Sequence, residues 1–378
     1  TQSTVASATL SGGLTTVTFN ITATVGGATQ LQLVTGDAQV DTVGALLPTP
    51  LTVRVLDALN NPVQGVLITW SVLAGGGSVT SPTSTTDASG IATTSWRLGT
   101  VRTATDSTQI ARASGVGTPV SFVALARPGT VSAANTLVSV APTSVAASRT
   151  SPATITVTAR DGFGNPVAGA SVALSATGSG NNLVQPAGVT NANGVATGAL
   201  GASVTGARTI TATVNGVVAT ATPTLTVVAA PATALLFTVT PTLGVAGADL
   251  DPVPAVGVAD SLGNRNFTFT GTISLALGAN PSSGTLGGTL SRTAVAGVAT
   301  FPGVSIDKAG VGYTLAASST GLTSTTSAAF TVTAGGVSAE RSLMSAAPGS
   351  ITAGGAASTI TVTARDENDN PVAGATVT

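Results

Sequence analysis

Residues 160–172 read RDGFGNPVAGASV. An aspartate, an asparagine, a proline and several glycines crowded together form either the floor of a catalytic or metal-binding loop or a tight turn between two strands. The sequence contains the means to choose, because the stretch recurs. LDALNNPVQGV begins at Leu56, ADSLGNRNFTF at Ala259 and RDENDNPVAGA at Arg365. Every copy has Asp, three residues, then Asn: Asp57 and Asn61, Asp161 and Asn165, Asp260 and Asn264, Asp366 and Asn370. Pro62, Pro166 and Pro371 follow in three of the four copies. The aspartates are separated by steps of 104, 99 and 106 residues.

A second marker keeps the same period. TDASGIAT (86–93), TNANGVAT (190–197) and AVAGVAT (294–300) place a glycine 33, 33 and 37 residues after the first three aspartates. Two markers in register at a spacing of about 100 residues describe tandem domains of the size of an Ig-like sandwich. Residues 1–27 are then the closing hairpin of an incomplete domain, 28–127, 128–230 and 231–335 are three complete domains, and 336–378 is the opening half of another, stopping in mid-strand at Val377–Thr378. The two end pieces either complete one another between chains or are cuts through a longer array. The junctions ARPG (126–129), VAAP (228–231) and AGG (334–336) are too short to be flexible tethers, which predicts an elongated rod.

Composition agrees with an all-β, Greek-key chain. Hydrophobic residues make up 43% and aromatics only 3%, so the cores must be packed from Val, Ala, Leu and Ile, while 46 glycines and 19 prolines punctuate short Thr- and Val-rich runs. In TTVTFNITATV (15–25), Val17, Phe19, Ile21, Ala23 and Val25 share one face, the period of a half-buried strand after a turn at Gly12–Gly13.

The stretch from 161 to 216, DGFGNPVAGASVALSATG through TNANGVATGAL to GARTITATVNG, resembles the bacterial Ig-like domains of the invasin and intimin type. In those domains a D-x-x-G-N-P-V turn and a later N-G-x-A turn mark each repeat. The domain at 28–127 and the fragment from 336 are similar to the same family. The domain at 231–335 departs from it, with Arg265 where the proline stands elsewhere. The resemblance implies a surface-exposed or extracellular array in a bacterial adhesin, filament or surface layer. Its partners would be neighbouring copies or further repeats of the chain, and a surface polymer or host receptor would be met through a module outside this sequence.

The chemistry that the chain lacks narrows function further. There is no His, no Cys and one lysine, Lys308, which removes His- and Cys-dependent catalysis and most transition-metal sites. Ser305–Lys308, SIDK, matches an S-x-x-K nucleophile motif but precedes a turn into a strand rather than opening a helix. With 13 basic and 14 acidic residues there is no stripe to bind nucleic acid, and no apolar run is long enough to span a membrane. No enzyme activity and no cofactor are expected.

Calcium is the one cation to weigh. Asp366, Asn368 and Asn370 have the spacing that opens an EF-hand loop, but Pro371 and Val377 stand where Gly and Glu are required, and Leu59, Phe163 and Leu262 fill the third position elsewhere. That apolar residue favours a structural turn pinned to the core, with proline starting the next strand. Asp249 and Asp251, together with Asp260 and Asp366, complete the calcium candidates. Trp70 and Trp96 are the glycan-contact candidates, for which core packing is the competing reading. The sequons at Asn20 and Asn266 carry little weight in a bacterial-looking chain. The expected function is a non-enzymatic stalk, spacer or fibre, with a glycan- or polymer-binding module as the alternative.

Overall fold

The computed structural model describes residues 2–9, 11, 12, 16–101 and 107–378, and among them every regular element is a strand. The domain spanning 128–230 shows the plan. One sheet holds, in order, Leu137–Ala141, Ser148–Thr158, Val195–Ala202 and Asn181–Val184. The other holds Ser144–Ala146, Thr224–Val228, Gly206–Val214 and Val172–Ala176. The chain changes sheets between 141 and 144, so that Ser144–Ala146 runs parallel to Thr224–Val228 while the ladders around it are antiparallel. The same parallel pairing joins Gln39–Thr42 to Val120–Arg127 and Leu243–Val245 to Phe330–Thr333. Three domains therefore share one topological signature.

Each domain has its own core between the sheets. In the middle domain it is aliphatic, with Ile155, Val157, Leu200, Ile210 and Leu225 fully or almost fully buried. The first domain packs Trp70, Trp96 and Phe122, with the Trp70 and Phe122 rings 6.0 Å apart. The third uses Phe301, Tyr313 and Phe330, the latter two rings 6.3 Å apart. Alternation along the strands selects these residues, since the period of two sends every second side chain between the sheets.

The second marker explains itself locally. Gly194 has φ +73°, and a Cβ there would stand 2.5 Å from the carbonyl oxygen of Ala159, so only glycine lets the turn close on the strand beneath it.

Several expectations need correction. Gln2–Thr9 and Thr16–Ala23 form the expected hairpin, but its apolar face is bare: Val17, Phe19 and Ile21 are all about half exposed or more. Periodicity marks the face that a second sheet would cover and does not supply that sheet. Gly13 of the expected turn lies outside the described residues. Leu343–Ala347 pairs with Thr359–Thr363 in a similarly uncovered hairpin, and residues 375–378 carry no strand. The prolines do not begin strands either. Pro62, Pro166 and Pro371 form single bridges back to Leu56, Arg160 and Arg365, and the following strands in the first two domains start at Leu67 and Val172.

Candidate functional site

The Asp-x-x-x-Asn turns lie at the domain junctions and share one geometry. Asp161 is fully buried. Its Oδ1 accepts the backbone N–H of Phe163 and of Asn165, both at 2.9 Å. Its Oδ2 accepts the side-chain amide of Asn165 at 3.0 Å and the N–H of Gly129, in the linker from the preceding domain, at 2.9 Å. One carboxylate thus shapes the turn and ties down the linker. Asp57 repeats the pattern with Leu59, Asn61 and Gly26, Asp260 with Leu262, Asn264 and Ala230, and Asp366 with Asn368, Asn370 and Gly335.

The asparagine carries the contact onward. An amide nitrogen has two hydrogens, and the second crosses to the neighbouring domain. Asn165 donates to Thr100 O, Asn264 to Ser203 O and Asn370 to Asp307 O, each at 2.9 Å. The amide oxygen works in the opposite direction, accepting the N–H of Thr205 at Asn264 (3.1 Å) and of Ala309 at Asn370 (2.9 Å). Asn264 and Asn370 therefore pair with the preceding domain as a strand residue would, through one donor and one acceptor.

The loops that receive these bonds are braced from inside. Arg208 is 3% exposed and donates to Asn181 Oδ1 (2.7 Å), Ser179 O (2.9 Å) and Val204 O (2.6 Å), which holds the loop that Asn264 grips. Gln109 supports Gly99, next to Thr100, by accepting its N–H at 2.8 Å and donating to its carbonyl at 3.3 Å. At the last junction Lys308 Nζ donates to Asn368 O at 2.6 Å.

Electrostatics follow from this donor set. The Asn61 amide, helped by backbone N–H groups, lowers the pKa of Asp57 below the ordinary carboxylate value. At Asp161, Asp260 and Asp366 burial pushes the other way, but the partner asparagine and the backbone donors outweigh it and the net shift is again downward. These buried carboxylates are stabilised in their ionised form by neutral N–H donors, without a cationic partner among the causes.

That arrangement opposes cation binding at Asp260 and Asp366, whose oxygens already face N–H groups, and among the described residues no three carboxylates converge with Asp249 or Asp251. The third turn residue is not in the core: Leu59, Phe163 and Leu262 are exposed, and the Phe163 ring lies beside Gly44 of the domain before it. Trp70 and Trp96 are 2% and 0% exposed, so neither offers a ring to a glycan. Ser305 belongs to the short strand Ser305–Ile306, so SIDK does not open a helix. The sequon at Asn266 is blocked, because its buried amide donates to Ala230 O. Sequence reasoning missed the crossing amide bonds and the bracing residues. The signal available was that Asn recurs with Asp in all four copies while proline does not.

Residues 48–123 and 135–228 match the family model of the bacterial Ig-like domain, group 1. No curated protein sequence matches the chain. Among solved structures, the Escherichia coli adhesin FdeC is similar over 83% of this chain and 100% of its own, at 18% identity and a TM-score of 0.46. InvD of Yersinia pseudotuberculosis is similar over 80% of this chain and 98% of its own, at 18% identity and a TM-score of 0.42. For invasin, a bacterial integrin-binding protein, the shares are 81% and 60%, at 19% identity and a TM-score of 0.39. Residues 48–123 and 135–228 are thus bacterial Ig-like domains of group 1, and the domain at 231–335 repeats their Asp–Asn turn and their parallel strand pairing.

Proposed function

We propose that this chain is a non-enzymatic spacer: a stiff rod of Ig-like domains in a bacterial cell-surface or extracellular protein, holding another module away from its anchor. The observation that carries this reading is the repeated junction, where a buried Asp–Asn pair ties the linker and, through asparagine, the preceding domain's loop to the next turn. A linker fixed by a charge-assisted bond, beside a loop bonded across the interface, removes the hinge that a short tether would otherwise provide.

A free rod is favoured over lateral packing into a lattice by the treatment of strand edges. Exposed edges invite pairing, and this chain has few charges with which to repel it. It uses side-chain amides instead. Gln185 accepts the N–H of Leu174 at 2.7 Å and donates to its carbonyl at 2.8 Å, covering the outer strand Val172–Ala176, while Gln39 of the outer strand Gln39–Thr42 ties the loop residue Thr49 beside it at 2.9 and 2.8 Å. Many other outer strands are only two to four residues long.

Small-angle scattering on the purified chain tests the proposal. Three complete domains end to end should extend roughly 35–45 Å each. A scattering profile of freely jointed domains, or a species that grows laterally with concentration, would reject the stiff spacer.

A further inference from the structure

A groove lies beside three of the turns, between the linker and the turn itself. Two of these grooves hold no cation and no aromatic ring: one of about 460 Å³ at Gly26, Gly27, Asp57 and Leu59, and one of about 570 Å³ at Gly335, Gly336, Asp366 and Glu367. The third, about 470 Å³, lies between the domains at 128–230 and 231–335 and has a different character. There the turn reads Arg265-Asn266-Phe267-Thr268, where the other copies read Pro-Val-x-Gly. That substitution puts a cation and an aromatic ring on the rim of a floor made by Val227, Val228 and Ala229.

We propose that this groove binds a peptide segment of a partner protein in which an acidic side chain stands next to an apolar one. The Arg265 guanidinium lies 5.2 Å from the centroid of the Phe267 ring, which orients the fork without neutralising it. Arg265 is exposed and makes no ion pair among the described residues, and the carboxylate at Asp260, in the same turn, is already filled by amide donors. Phe267 is 63% exposed and Val228 46%. A planar fork beside open apolar surface is complementary to a carboxylate with a hydrocarbon neighbour.

The same census argues against an acidic sugar. Asn266 spends one amide hydrogen on Ala230 O and its oxygen on the N–H and hydroxyl of Thr268, Thr205 N–H is spent on Asn264, and the rest of the lining is apolar but for Arg265. A sugar laid in the groove would leave hydroxyls without partners against Val and Phe, at the cost of each lost hydrogen bond. A Leu-Glu or Val-Asp pair has one charged group to place and one apolar side chain, which is what the groove offers.

Methyl NMR on the full chain, with labelled valines, tests the assignment. The probes are acetyl-Gly-Leu-Glu-Gly-amide, its Leu-Gln counterpart and sodium glucuronate, each titrated to about 10 mM, a range that reports weak binding. The expected result is a shift confined to Val227 and Val228 with the glutamate peptide, at least tenfold weaker with the glutamine peptide, and at least tenfold weaker in Arg265→Gln and in Phe267→Ala. Both side chains are exposed, so unchanged melting temperatures should accompany both variants. The proposal is overturned by no shift with the glutamate peptide, by equal shifts from both peptides, or by binding that survives Arg265→Gln in the folded chain. Glucuronate shifting these methyls while the peptides stay silent would also overturn it, in favour of a sugar.

Discussion

Replacing Asn264 by Asp keeps the size and planarity of the side chain and exchanges its donor for a charge. The amide now donates to Asp260 Oδ2 at 3.0 Å and to Ser203 O at 2.9 Å. In Asn264→Asp a carboxylate oxygen would face both. Two unit charges about 3 Å apart repel by roughly 5–6 kcal/mol at an effective dielectric constant near 20. The pair can escape by taking up one proton. Holding a proton at pH 7 on a carboxyl that titrates near pH 4 when unfolded costs about 1.4 kcal/mol per pH unit, or roughly 4 kcal/mol. The smaller penalty sets the outcome, so the variant should lose about 4 kcal/mol at pH 7 and recover about 1.4 kcal/mol for each unit of acidification toward pH 5. Its folded form binds more protons than its unfolded form, so stability falls as pH rises. Asn264→Ala instead loses two neutral bonds and one to a carboxylate, about 3–4 kcal/mol with no recovery on acidification. Scanning calorimetry of the full chain at pH 7, 6 and 5 separates the two, since about 4 kcal/mol in a domain of this size lowers Tm by roughly 15 °C or more. A penalty for Asn264→Asp below about 1 kcal/mol, or one equal at pH 5 and pH 7, would refute the junction geometry.

Because the folded pKa values of Asp57, Asp161, Asp260 and Asp366 lie below their unfolded values, the wild-type stabilisation is fully present above about pH 4 and is lost as pH falls through the folded values, which acid unfolding followed by circular dichroism should show. Trp70→Ala and Trp96→Ala should each destabilise the first domain by about 3–5 kcal/mol, as removal of a buried ring does, and a folded variant that loses only polymer retention would contradict the core assignment. Gly194→Ala combines positive φ with a clash against Ala159 O and should cost at least about 1–3 kcal/mol in a urea titration. Calcium and chelator should each leave Tm unchanged, because the aspartates at the junctions already face N–H groups, and a rise of several degrees with calcium would reverse that reading.

The repeat was legible in the sequence because a turn must satisfy local backbone geometry wherever it recurs. An Asp that accepts the N–H groups two and four residues ahead forces the same spacing in every copy, and a glycine that lies on a strand's carbonyl forces another. Less legible was what the turn touches. Phe163, apolar and next to a core strand, reads as a core residue from the sequence alone, yet it lies against Gly44 from the domain before, more than a hundred residues earlier. Burial on the N-terminal hairpin was misjudged for a related reason: Val17, Phe19 and Ile21 have the right period, but period describes a strand and burial requires a second sheet. Arg208 gave no sequence signal, since a buried arginine paired only with Asn181 and carbonyl oxygens has no carboxylate to betray it.

The division of labour within the turn explains which positions are held across the four copies and which vary. Asp presents two acceptor oxygens to four donors at this reach, and Asn meets that carboxylate with one hydrogen, reaches the preceding domain with the other and can still accept there. Asp in place of that Asn would lose both donors, and Gln would overshoot by a methylene. Proline contributes only a single bridge and a fixed φ, and the third domain replaces it with Arg265 while keeping the Asp260–Asn264 pair and both crossing bonds. The third turn residue, between them, changes from Leu to Phe to Leu to Asn. The junctions at Asn165, Asn264 and Asn370 therefore keep one latch, while the surface around it changes, and at the middle one of them the groove beside it acquires a cation and an aromatic ring.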